Sequence, residues 1–170
     1  MMEAYKGTCW KLPDGVSSDQ LIGPSHVFDF EAETLRKHLL EEVDPRIAAE
    51  AKPGDVLVAG RNFAQGSNHS HPFIAMKAMG LGLLCRSISR GPYRLTIFMG
   101  VPILTITEEI YTALEHRSRI EVDFTTGDIK ALDMGAEFHA EALPLHLLEI
   151  VTAGGGFEHA KAQEQEQNPQ

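Results

Sequence analysis

The sequence predicts an α/β domain built on a mixed sheet, part parallel layer and part antiparallel meander. Two observations carry this. Through the middle third, compact apolar runs at residues 55–59 and 83–86 alternate with helical segments that open at Pro72 and near Ser89, the order expected of parallel strands with crossover helices. Later, residues 119–124 alternate strictly between polar and apolar, and Thr125-Thr126-Gly127-Asp128 follows as a hairpin-type turn.

The elements follow in order. Residues 5–12 alternate as a strand and stop at Pro13-Asp14-Gly15, a turn sequence. Over residues 30–43, Leu35, Leu39, Leu40 and Val43 recur at helical spacing among charged residues, which predicts a surface helix ended by Pro45. A short helix at 46–51 leads through Pro53-Gly54 to the strand at 55–59, whose apolar run reads as buried. The polar loop 60–71 opens onto a helix at 72–79, where a proline in the first turn suits its fixed φ and missing donor. After the strand at 83–86 and the helix from Ser89, Thr107 precedes Glu108 and Glu109 as an N-cap ahead of acidic residues, starting a helix through His116. Strands at 129–134 and 137–142 complete the meander, and a helix at 144–153 runs into Gly154-Gly155-Gly156. Residues 1–160 read as one domain; the glutamine-rich tail 161–170 has little to bury and is expected to be disordered.

Composition excludes several classes of function. A formal charge of -9, spread along 170 residues without a basic face, argues against nucleic-acid binding. No apolar run reaches the roughly 20 residues of a membrane span, and no basic-apolar signal precedes the domain, so the expected location is cytoplasmic, or an organelle after removal of a transit peptide. Cys9 and Cys85 sit far apart in apolar strands and read as structural thiols, too few to hold a 4Fe-4S cluster.

Chemistry concentrates in the loop Gly60-Arg61-Asn62-Phe63-Ala64-Gln65-Gly66-Ser67-Asn68-His69-Ser70-His71. Between a buried strand and a helix amino terminus, free amides and the helix dipole favour a carboxylate and stabilise a deprotonated hydroxyl. Taken alone, such a stretch is more often an N-cap with a tight turn, and it lacks the Gly-Lys-Ser/Thr ending of a P-loop.

The order of residues adds a resemblance. Ala59-Gly60-Arg61-Asn62-Phe63, Gly66-Ser67, His71, Ala75, Lys77, Ala78 and Gly80 resemble the active-site block of 3-isopropylmalate dehydratase small subunits and the swivel domain of aconitase. Downstream, Ser87, Arg90, Tyr93, Arg94 and Gly100-Val101-Pro102 continue the likeness. It runs from Lys6-Gly7, Asp14 and Asp19, past Pro53-Gly54-Asp55, to Val122-Asp123, Thr126-Gly127 and Ala153-Gly154-Gly155. The resemblance implies a three-layer β/β/α swivelling domain. It implies a hydro-lyase, a dehydratase or isomerase of a small hydroxy di- or tricarboxylic acid, active only with a large subunit that carries a 4Fe-4S cluster in a heterodimer or heterotetramer. By position, Ser67 is the residue that removes the carbon-bound proton.

The pattern also departs from the family. Gly66-Ser67-Asn68-His69-Ser70-His71 stands where the family reads Gly-Ser-Ser-Arg-Glu-His, Ser17-Ser18-Asp19 replaces Asp-Thr-Asp, and Ser25 stands where relatives often carry arginine. Ser18, Asp19, Ser25, Asn68 and His69 are therefore the candidate substrate-binding residues, with His69 an imperfect substitute for a bidentate, always-charged guanidinium. Arg61, Arg90 and Arg94 are either compensating cations or ordinary surface ion pairs. His26, His69 and His71 match no zinc spacing, and no metal ligand is expected in the chain. The altered loops point away from the ordinary leucine-pathway substrate. The alternative is a non-catalytic paralogue that binds or regulates a large subunit.

Overall fold

The computed structural model describes residues 2–167. In chain order the elements are β1 (Tyr5–Lys11), α1 (Ser18–Leu21), a 3-10 turn (Pro24–His26), α2 (Ala32–Leu35), α3 (Arg46–Glu50), β2 (Val56–Ala59), α4 (His71–Ala78), β3 (Gly82–Cys85) and α5 (Arg90–Phe98). There follow β4 (Ile103–Thr105), α6 (Glu108–Ala113), β5 (Arg119–Asp123), β6 (Asp128–Ala131), β7 (Ala136–His139), α7 (Leu145–Thr152) and α8 (Gly156–Gln167).

One seven-stranded sheet joins them in the order β4-β3-β2-β1-β5-β6-β7. β1 is the seam, parallel to β2 (Cys9 opposite Val56) and antiparallel to β5 (Tyr5 opposite Val122). Every residue of β2 and β3 is buried, as strands covered on both faces must be. On one face Trp10, Leu57, Leu83 and Ile103 pack with Phe73 of α4 and Ile97 of α5. On the other, Cys9, Val56, Val58 and Leu84 pack with Ile120, Val122 and Ile129, because the antiparallel half curls back over the parallel half. Meander, parallel sheet and helices are thus the three expected layers.

Buried Asp55 ties the seam together. Its carboxylate accepts hydrogen bonds from Thr8 N (2.8 Å), Trp10 Nε1 (2.9 Å) and Lys52 N (3.0 Å).

Three expectations need correction. The helix expected over 30–43 survives only as α2, followed by turns in which Leu40 is left-handed (φ 59) and donates its N–H to Leu21 O at 2.8 Å. Its apolar spacing is real, since Leu35, Leu39 and Leu40 are fully buried, but turns deliver them to the core as well as a helix would. The helix from Glu108 stops at Ala113, short of His116, and Arg117 is left-handed (φ 69). From Lys161 to Gln167, where no order was expected, α8 continues; it buries no residue, and its Ala, Gln, Glu and Lys are strong helix formers. The remaining tail residues, 168–170, lie outside the described residues. β4, which the sequence left unassigned, is the fourth parallel strand.

Candidate active site

In open parallel sheets the carboxyl ends of the strands gather the loops that bind ligands. Here the loops after β1, β2 and β3 meet at that edge and are stitched to one another. Ser17 bridges Gln65 and Phe63 bridges Ile88. Arg61 N donates to Asp14 Oδ1 at 2.6 Å, Asn62 N to Ser87 Oγ at 2.8 Å, and Ala64 N to Val16 O at 2.8 Å. Gly60 permits the crossing: a Cβ there would lie 2.7 Å from Asp14 N and 2.8 Å from its Cα, both fixed backbone atoms. Asn62 (φ 52), Ala64 (φ 58) and Gly66 (φ 108) are left-handed, and the buried alanine holds that conformation against its own Cβ because neighbouring loops fix it.

The outcome is a cross-linked turn that presents Ser67 at the surface. Its Oγ lies 3.4 Å from Oγ of buried Ser18, the first residue of α1, which is positioned by a Ser17–Gln20 capping box. Among the described residues, the backbone amides from Gly66 to His71 donate to no backbone carbonyl and so are free to receive an anion. A cavity of about 120 Å³ lies beside them, lined among others by Asp19, Ile22, Pro24, Ser67, His69 and His71.

The two histidines form a pair. Nδ1 of His69 and Nδ1 of His71 are 3.2 Å apart, and the His71 ring also packs on Phe30 with centroids 4.6 Å apart. One facing nitrogen must donate and the other accept, so at most one of the two carries a proton there. Burial, reinforced by His71, pushes the His69 pKa down from the usual 6.5, while Asp19 opposes the shift. His71 Nε2 is buried without a partner.

The structure thus brings Ser18, Asp19, Ser67 and His69 together. Asn68 lines an adjoining crevice with the same Ser18, Ser67 and His69 and with Pro92 and Leu95, and its side chain fills the space above Gly91. Ser25 sits on the 3-10 turn next to Pro24 but is not among the residues lining the cavity. The proposed compensating arginines are elsewhere. Arg61 pairs with Glu108 at 3.4 Å, and Arg90 and Arg94 line a separate groove of about 420 Å³ with Tyr93 and Leu147. No lysine or arginine lines the Ser67 cavity among the described residues. His71 was read from sequence only as a position near the helix start; its pairing with His69 depends on a local turn that residue order does not reveal.

Fold and site together define a three-layer mixed α/β domain with a serine-bearing, amide-rich loop at the carboxyl edge of its parallel strands. No family model matches the chain. It is 37% identical over 163 residues to the 3-isopropylmalate dehydratase small subunit of Aquifex aeolicus, covering 95% of this chain and 96% of that one. It is 36% identical over 162 residues to small subunit 1 of Methanopyrus kandleri, covering 95% of each. The crystal structure of 3-isopropylmalate dehydratase from Methanocaldococcus jannaschii superposes with a TM-score of 0.90 at 25% identity, over 97% of this chain and 98% of that one. The chain belongs to the family of 3-isopropylmalate dehydratase small subunits.

Proposed function

We propose that the chain is the small subunit of a hydro-lyase that dehydrates, hydrates or isomerises a small hydroxy di- or tricarboxylic acid, with Ser67 as the proton-transferring residue. The observation that carries this reading is the exposed Ser67 hydroxyl set among unpaired amides, 3.4 Å from Ser18. A serine hydroxyl removes a carbon-bound proton only if its alkoxide is stabilised. The loop amides, the α4 amino terminus and a hydrogen bond from Ser18 Oγ all favour that anion over the neutral hydroxyl. The same amides receive a substrate carboxylate, and His69 adds a cation only when protonated.

Family resemblance assigns a 4Fe-4S cluster, with its Lewis-acid chemistry at the substrate hydroxyl, to a separate large subunit. The thiols of this chain do not fit a cluster. Cys9 and Cys85 are fully buried, and burial pushes both up to about 12, far from the thiolate a cluster needs. This chain's part is therefore to bind, orient and move a proton at Ser67 Oγ. No helix among the described residues is long and apolar enough to cross a membrane; a cytoplasmic location remains part of the proposal.

The lack of lysine or arginine around the cavity favours one second reading, a non-catalytic paralogue that partners a large subunit. Anaerobic assay of the copurified complex separates them. In the enzyme, Ser67→Ala keeps assembly and lowers kcat by about 10² to 10⁴, the usual contribution of a positioned acid or base. Full activity in that variant removes Ser67 from the mechanism, and an inert wild-type complex with an intact cluster supports the paralogue.

A further inference from the structure

A second group of ligating side chains lies behind the cavity wall. His26 ends the 3-10 turn whose Pro24 lines the Ser67 cavity, while His38 and Glu41 belong to the turns after α2. The imidazoles of His26 and His38 stack with centroids 3.8 Å apart and planes 21° apart. Both rings address one carboxylate: His38 Nδ1 is 3.0 Å from Glu41 Oε2, and His26 Nε2 is 3.7 Å from Glu41 Oε1. One ligand atom from each residue lies within 4.8 Å of the other two, and all three side chains reach solvent in part.

We propose that His26, His38 and Glu41 bind a divalent transition-metal cation of the Zn²⁺ class, with water completing its coordination. Two imidazoles and a carboxylate are a borderline donor set suited to zinc and its neighbours, whereas calcium and magnesium favour oxygen alone. Bonds of roughly 2.0 to 2.2 Å to a tetrahedral ion place its donors about 3.3 Å apart. His38 Nδ1 approaches Glu41 Oε2 at 3.0 Å and His26 Nε2 approaches Oε1 at 3.7 Å, with one donor from each residue within 4.8 Å of the others. Because imidazole lone pairs lie in the ring plane, the two rings must turn about their terminal side-chain torsions out of the stack to share one ion.

The alternative is a pair of surface ion pairs sharing one glutamate. That arrangement is weakly stabilising, whereas a shared ion uses both rings and the carboxylate at once. It also joins the turn bearing Pro24 to the turn around Leu40, whose N–H already holds Leu21 O, and so clamps one wall of the Ser67 cavity. The expectation of no metal ligand rested on spacing. Only His38 and Glu41 are near each other in sequence, and His26 joins them through the fold.

The test is Zn²⁺ titration of the chelator-stripped full chain in competition with a chromogenic chelator, followed by X-ray absorption at the zinc edge. Expected are one equivalent bound, two imidazole scatterers, and affinity weakened at least about 100-fold in H26Q, H38Q and E41Q. The double variant H69Q/H71Q, which removes the other close histidine pair, leaves affinity unchanged. Failure of the wild type to bind one equivalent, equal affinity in H38Q and E41Q, or loss of binding in H69Q/H71Q overturns the proposal. Should a variant misfold, the wild-type zinc spectrum still decides, because a shell without two imidazoles overturns it.

Discussion

Gly60→Ala tests whether the site depends on the crossing of two loops. The added methyl faces Asp14 N at 2.7 Å and Asp14 Cα at 2.8 Å, atoms that no side-chain rotation can move. To restore ordinary contact the loop after β2 must retreat from the loop after β1 by roughly 0.7 Å, an overpacking shift that costs about 1–3 kcal/mol. The same retreat stretches the 2.6 Å bond from Arg61 N to Asp14 Oδ1 and carries Ser67 away from Ser18, because the Ser17–Gln65 bridge lies on the same pair of loops. A misplacement approaching 1 Å is enough to cost on the order of 100-fold in rate. The variant should therefore combine a modest loss in urea unfolding with a fall in kcat of about 10- to 100-fold when assayed with the large subunit. Unchanged kcat together with an unchanged unfolding midpoint would refute the idea that Gly60 sets the loop geometry.

Two further outcomes follow from the structure. Asp55→Ala leaves the N–H groups of Thr8, Trp10 and Lys52 without their acceptor, and should lower stability by about 3 kcal/mol or more in denaturant unfolding; a change under about 1 kcal/mol, the worth of one ordinary hydrogen bond, would contradict the tether. The lowered pKa of His69 means that its cationic form exists only below the usual 6.5 and is lost as pH rises. KM for a carboxylate substrate should accordingly increase as pH climbs through that depressed value and level off above it, and His69→Arg should flatten the profile. A KM independent of pH in the wild type from acid to neutral would remove His69 from substrate binding.

Much of the fold is legible in residue order because local chemistry and tertiary demand agree. Thr107 caps α6 as its side chain promises, and the buried runs of β2 and β3 are strands. Reading fails where an apolar period has two structural solutions, as at Leu35, Leu39 and Leu40, which reach the core through turns with one left-handed residue. The site divides in the same way. Its loop is visible as a concentration of Gly, Ser and His, whereas the contact of Ser67 with Ser18 exists only because β1 and β2 are neighbours and parallel. The fates of Arg61, Arg90 and Asn68 depend on rotamers and partners that no spacing encodes.

The seam strand has a consequence for biosynthesis. β1 leaves the ribosome long before its antiparallel neighbour β5, which lies most of the chain away, with Tyr5 waiting for Val122. Until then β1 can pair only with β2, and its other edge remains open to strands of neighbouring nascent chains. Lys6 puts charge on that waiting edge, a common means of discouraging such pairing. High contact order of this kind slows folding, so yield should be governed less by final stability than by how long the amino-terminal strand stays half-paired.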